Sequence, residues 1–213
     1  MIDALHPYPV EWIDRWELAD GALVTVRPVL PQDLQLERAF VAQGLTTRSR
    51  YQRFQVGMTE LPDSVARYLT EVDYQDHFAL VVETFGAAGH LQIADARFVR
   101  HDASPQSAEF ALAIADAWQG RGLGRRLLLT LMAAARARGL ELLFGDVLHD
   151  NHAMLRLAQA LGFARHPHPD DRRLVRVQHA LDAPEVPAWR TASTRSALPL
   201  QQHSLQHLPA TVW

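Results

Sequence analysis

The sequence predicts an α/β domain built on a mixed central β-sheet flanked by helices. Short runs rich in Val, Leu, Ile and Phe alternate with segments of helical apolar spacing, so strands and helices are interleaved along the chain. A strand-like run, Phe110-Ala111-Leu112-Ala113-Ile114-Ala115, leads through a glycine-rich stretch into a long apolar-periodic helix. Hydrophobic residues make up 48% of the 213, enough to fill a core.

Taken in order, Leu23–Arg27 follows an Asp20-Gly21 turn and reads as the first strand. Pro28 and Pro31 then open a helix over Asp33–Gln43, with Leu34, Leu36, Phe40 and Val41 as its apolar set. Further helical segments cover Ser49–Phe54 and Pro62–Leu69. Strands are expected at His77–Glu83 and Leu91–Arg100, joined by Gly86-Ala87-Ala88-Gly89, and again at Ala108–Ala115. Leu123, Leu127, Leu128, Leu131 and Met132 give the helix Leu123–Arg138 one buried face, and Gly139 stops it. Leu140–Leu148 is the next strand, and Asn151–Leu161 is a helix stopped by Gly162. A turn at His166-Pro167-His168-Pro169-Asp170 precedes a last strand, Leu174–Leu181. This order implies a sheet that is antiparallel at first and has parallel βαβ character later. From Asp182 onward Pro, Ser, Thr, Gln and His dominate. The expected organisation is an N-terminal extension over 1–20, one domain over 21–181 and a tail over 182–213. That tail is either flexible or docked through Trp189, Leu198, Leu200 and Trp213.

Composition removes several function classes. Net charge is −3, so no basic field draws the chain to nucleic acid or a membrane surface. Cysteine is absent, which excludes disulfides, thiolate metal sites and a cysteine nucleophile. The N-terminus has neither a basic nor an apolar signal region. The longest apolar stretch, Leu127–Ala135, is broken by Thr130 and falls well short of the ~20 residues of a membrane span. A soluble, cytoplasmic protein, monomer or homodimer, is the expectation.

The stretch Trp118-Gln119-Gly120-Arg121-Gly122-Leu123-Gly124-Arg125-Arg126-Leu127 carries the chemistry. Three glycines let a ligand approach the backbone, and the first helical turn offers amide N–H groups without intrahelical partners. Arg121, Arg125 and Arg126 add positive charge around that turn, which suits a pyrophosphate. A P-loop is excluded, because all 21 basic residues are arginine and the motif needs a lysine. A dinucleotide fold is excluded by the spacing and by the missing second repeat. The bland alternative is a tightly packed helix start that binds nothing.

The spacing Gln119-x-x-Gly122-x-Gly124 resembles the acyl-CoA loop of the GNAT superfamily of N-acyltransferases. The helix from Asn151 to Gly162-Phe163 resembles that superfamily's second signature, and the resemblance covers roughly Gly21–Leu181. Ser49-Arg50-Tyr51-Gln52-Arg53-Phe54, Val72-Asp73-Tyr74, Ala108-Glu109-Phe110-Ala111 and Asn151-x-x-Met154-Leu155 are similar to the acetyltransferase domain of bacterial protein lysine acetyltransferases. The resemblance implies acetyl-CoA as co-substrate and a primary amine, a protein lysine, as acceptor. It implies a pyrophosphate held by the backbone around Gln119, Gly120, Arg121, Gly122, Leu123, Gly124 and Arg125. The pantetheine is then guided by Ala113, Ile114 and Ala115, with a further contact from Asn151. The rivals are the same chemistry on a small-molecule amine, and an acyl-CoA-binding regulatory module without turnover.

Strand alternation puts Phe110, Leu112 and Ile114 on one face and Glu109, Ala111 and Ala113 on the other. The Glu109 carboxylate is therefore expected beside a surface open enough for a thin acyl chain, and the resemblance implies that it is the general base. A lysine amine at neutral pH stands ~4.6 kcal/mol from its nucleophilic form, so a base is required. The competing reading is a solvated or salt-bridged strand glutamate. Asn151 caps its helix whatever else it touches. Many members of the superfamily carry a general-acid tyrosine where this chain has Ala158, which leaves solvent or Tyr8, Tyr51, Tyr68 or Tyr74 for that task. His149, near Asp146, is the second candidate base. His203 and His207 lack an acidic partner, and His166 and His168 belong to a proline turn, so no metal is expected. Without cysteine to carry the acyl group, direct attack within a ternary complex is the expected route.

Overall fold

The computed structural model describes residues 7–86 and 89–181. The chain begins with β1 (Asp14–Glu17) and β2 (Leu23–Pro28). A 3-10 turn (Pro31–Asp33) follows, then α1 (Leu34–Ala39), which continues as a π-helical turn (Phe40–Gly44). Next come α2 (Thr47–Phe54), α3 (Asp63–Thr70), β3 (His77–Gly86), β4 (Gly89–His101) and β5 (Ser104–Ile114). The chain continues with α4 (Leu123–Ala137), β6 (Leu142–Leu148), α5 (His152–Ala160), β7 (Ala164–Pro167) and β8 (Leu174–Ala180). Among the described residues the strands form one sheet in the order β1-β2-β3-β4-β5-β6-β8-β7, a mixed α/β fold. The tail 182–213, with Trp189, Leu198, Leu200, Trp213, His203 and His207, lies outside the described residues, as does the Ala87-Ala88 turn.

Two expectations about the sheet are corrected. Parallel character is confined to β5 and β6, because β8 returns antiparallel to β6 and β7 antiparallel to β8. The segment around His166 is not wholly a turn, since β7 runs through Pro167 as an edge strand with all four residues exposed. Such a strand has no buried face to imprint an alternation on the sequence, and proline is tolerated there because one edge needs no donors. Likewise β1, inside the stretch read as an N-terminal extension, pairs with β2 and buries Trp16 at 8% exposure.

The two sheet faces differ in chemistry. Phe78, Leu80, Val82, Ala94, Ala96, Phe98 and Phe110 are buried in the core cluster that α4 joins through Leu123, Leu127, Leu128 and Leu131. Phe78 and Phe98 stack at 5.5 Å, and the Arg138 guanidinium at the end of α4 covers the Phe78 ring at 4.1 Å. On the other face α2 and α3 cover polar positions of β4. Arg97 Nη1 donates to Leu69 O of α3 at 3.0 Å, and Arg53 of α2 pairs with Asp95 at 3.5 Å. The helix at 34–44 buries Phe40 and Val41 as expected, but its inward position in α1 is Glu37, 1% exposed, rather than Leu36.

Pairing between β5 and β6 covers only Ser107↔Leu142, Ala108↔Leu143 and Glu109↔Phe144. Beyond Glu109 the two strands part. A Cβ on Gly145 would meet the Phe110 ring at 2.9 Å and the Phe110 carbonyl at 3.1 Å, so Phe110 occupies the space a side chain would need. The sheet thus opens into a wedge at the end of its one parallel pair, and the site lies in that wedge.

Candidate active site

The first wall of the wedge is the end of β5 with the loop that follows. Gln119 Nε2 donates to Ile114 O at 3.1 Å, tying the loop to the strand. Gly120 and Gly122 have φ of +76° and +87°, a region that L side chains rarely adopt, and Gly122 is the N-cap of α4. The first helical bond is Arg126 N–H to Gly122 O at 3.3 Å, so the amides of Leu123, Gly124 and Arg125 have no partner within the helix. A Cβ on Gly124 would come within 3.1 Å of Leu157 Cδ2 and 3.4 Å of Ile114 Cδ1. That glycine lets α4, α5 and β5 converge.

The second wall is α5. Asn151 Oδ1 accepts the Met154 N–H at 3.1 Å, an N-cap contributing ~1 kcal/mol, and the residue lines the wedge. The third wall, α2, was not assigned to the site from sequence. The Asp116 carboxylate accepts from Thr46 N–H at 2.9 Å and Ser49 Oγ at 2.9 Å, fastening the start of α2 to the loop after β5. Only the fold brings these elements together, although the Ser49–Phe54 segment itself carries part of the resemblance.

The walls enclose a cavity of about 360 Å³. Of the expected ligand-binding residues, Ala113, Ile114, Gln119, Gly120, Gly122, Gly124, Arg125 and Asn151 line it. Leu123 does not, being 1% exposed in the core. Ala115 is buried against Gly44, where an added Cβ would meet it at 3.3 Å. Arg121 is held by Asp20 at 2.8 Å, donates to Ala117 O and stacks on Trp118. Arg126 donates to Glu17 O and lies over Trp16. Of the three loop arginines, then, Arg125 alone faces the cavity. A smaller recess of about 30 Å³ continues between β5 and β6, lined in part by Arg53, Ala111, Gly145, Asp146 and Asn151.

Glu109 stands at the apex of the wedge, where β5–β6 pairing stops, but it does not flank an open surface as expected. It is 5% exposed and lines neither space. The alanines above it, Ala111 and Ala113, are the part of its face that reaches the openings. Its charge is felt on two sides: it helps raise the pKa of Tyr68 on α3, itself raised mainly by burial, and of Arg176 on β8. His149 is exposed and Asp146 is claimed by Arg176 at 2.7 and 2.8 Å and by His168 at 3.2 Å. Tyr8 and Tyr74 donate to Pro28 O and Val29 O, Tyr51 is exposed, and none of the four tyrosines lines the cavity. Ala158 is fully buried on the inner face of α5. Among the described residues no cluster suits a metal ion, and no helix is long and apolar enough to cross a membrane.

Beneath the wedge lies a buried polar network that nothing in the sequence pattern announced. Arg97 is fully buried and grips Asp95 through Nε at 3.1 Å and through Nη2. Its Nη1 also donates to His77 Nε2 at 3.0 Å, and burial with the nearby Arg97 and Arg53 charges holds His77 neutral, well below its usual pKa. Gln92 donates to Glu37, whose carboxyl is pushed up to about 7 by burial and then by Asp95, against the pull of Arg97 and Arg53. A carboxyl that holds its proton more tightly when folded loses stability as pH rises. The loss runs between its ordinary value of 4.5 and about 7, and is on the order of 3 kcal/mol. Glu37→Gln should remove that slope, so urea unfolding of the variant relative to wild type will show a growing advantage from pH 5 to pH 7. A constant difference across that range would contradict the assignment.

The Acetyltransferase (GNAT) family matches residues 45–163, more than half of the chain. The chain is 36% identical over 158 residues to Acetyltransferase Pat of Mycolicibacterium smegmatis, covering 74% of this chain and 44% of that protein. It is 31% identical over 160 residues to Acetyltransferase PA5475 of Pseudomonas aeruginosa, covering 74% of this chain and 85% of that one. The crystal structure of the GNAT domain of S. lividans PAT superposes with a TM-score of 0.74 at 28% identity, over 82% of this chain and 99% of that domain. The matched span runs from the α2 wall through the glycine helix start to the end of α5, which is the whole of the wedge, and the chain therefore belongs to the GNAT family of acetyltransferases.

Proposed function

We propose that this chain transfers an acetyl group from acetyl-CoA to a primary amine, the side chain of a protein lysine, by direct attack within a ternary complex. The observation that carries the reading is the convergence of unpartnered α4 amides, the end of β5 and Asn151 on one cavity. The amides and Arg125 would hold the pyrophosphate, and Ala113 and Ile114 would flank the pantetheine, with Ala115 supporting them from behind. The narrow recess between β5 and β6 suits a slim methylene stem bearing an amine. Glu109, at the recess end of β5, would take the ammonium proton through a water, since it lines neither opening. The protein-lysine acceptor rests on the likeness of the Ser49–Phe54, Glu109 and Asn151 segments to protein lysine acetyltransferases.

The test is thiol release from acetyl-CoA with lysine-bearing proteins and with small amines, paired with mass spectrometry of each acceptor. The enzyme has no lysine, so a gain of acetyl mass on lysine belongs to the acceptor alone. Acetylation of protein lysine, undiminished by small amines, is the expected result. Transfer to small amines alone would shift the acceptor class, and CoA binding without turnover would favour a regulatory module.

A further inference from the structure

The transfer proposed above forms a C–N bond at the thioester carbonyl and breaks the C–S bond, whose electron pair leaves on sulfur. The ammonium loses one proton to a carboxylate by way of water before attack, and the second leaves the new C–N nitrogen for solvent as the C–S bond breaks, so the products are an amide, a thiolate and two protons. An alkyl thiol is mostly protonated at neutral pH, so that thiolate needs a cation or a proton donor beside it. Among the described residues lining the cavity and the recess there is no tyrosine, histidine or cysteine. The cations there are Arg125 and Arg53. Arg125 is exposed in the first turn of α4, at the phosphate end.

Arg53 is different in kind. It is 4% exposed, lines both the cavity and the recess, and so stands where the two meet, the point at which donor and acceptor must touch. Asp95 anchors it from behind at 3.5 Å while Arg97 holds the same carboxylate, and Glu37 and neutral His77 complete the groups beneath. Burial draws the Arg53 pKa down while Asp95 pulls it back up, a guanidinium still holds its charge at neutral pH, and one fixed in this way spends little reorganisation when a negative charge develops nearby. The geometry points to Arg53 as the cation that receives the charge leaving on the CoA sulfur, the task a proton-donating side chain would otherwise perform. This inference rests on the acetyl-CoA reading.

The experiment titrates the thiol of CoA bound to the full-length protein, following thiolate absorbance with desulfo-CoA as blank. In the wild type the bound thiol should ionise at lower pH than free CoA titrated alongside it. Arg53→Gln should return it upward by about one pH unit or more and lower kcat ~10²-fold, with CoA affinity little changed. Arg53→Lys, which keeps a charge without the planar fork, should recover part of both effects. A wild-type bound thiol titrating at or above the free value overturns the assignment without recourse to any variant, as does an Arg53→Gln protein whose bound thiol titrates where the wild type's does. Absence of CoA binding would instead bring down the acetyl-CoA reading itself, so the two failures are told apart.

Discussion

CoA is expected to raise the thermal midpoint of the wild-type protein, and Gly124→Glu to abolish that rise. A ligand bound only to the folded state stabilises by RT ln(1 + [L]/Kd), ~2.7 kcal/mol at a hundred times Kd. For a domain of this size that corresponds to a shift of roughly 5–10 °C. In the variant the shift should be zero, for two separate reasons. Gly124 lines the cavity, and its missing Cβ is what allows Leu157 and Ile114 to close to 3.1 and 3.4 Å of that position. A glutamate there would also put a carboxylate among the amides of Leu123, Gly124 and Arg125, taking the anion's place. Gly124→Ala serves as the control. Its added carbon meets only the flexible end of Leu157 closely, so folding should survive and binding should weaken rather than vanish. A full CoA shift in Gly124→Glu would place the phosphates elsewhere.

That helix start was legible because its physics is local. Glycines in a left-handed conformation, unpartnered amides and nearby arginines are properties of a dozen consecutive residues. What was not legible depends on partners distant in sequence. Arg121 looks like a ligand residue in the string, yet Asp20, a hundred and one positions away, holds it against the loop. Arg53 looks like a surface residue on a short polar helix, yet the fold buries it against Asp95 at the junction of cavity and recess. The edge strands β1 and β7 were missed because one short, mostly exposed strand leaves no apolar alternation to read. The single parallel pair was over-extended to later strands because strand–helix–strand order does not by itself fix direction, and β8 inserts between β6 and β7.

Glu109→Gln should lower the transfer rate at neutral pH by ~10²–10⁴ while leaving acetyl-CoA affinity nearly unchanged. The substitution keeps shape and burial and removes only the ability to accept a proton. Affinity should hold because Glu109 lines neither the cavity nor the recess. The amine has a pKa of ~10.4, so raising the pH supplies the neutral nucleophile from solution, and part of the lost rate should return in alkaline buffer. The burial of Glu109 at 5% exposure sharpens this expectation. A base in that position must work through an ordered water in the recess, and solvent-isotope effects on kcat should fall in the variant along with the rate. The competing carboxylate, Asp146, is committed to Arg176 and His168, and His149 is exposed, so neither is positioned to take over. Near wild-type kinetics in Glu109→Gln, with circular dichroism and CoA binding intact, would mean that bulk water deprotonates the amine. Glu109 would then serve only to balance charge at the apex of the wedge, between Tyr68 and Arg176.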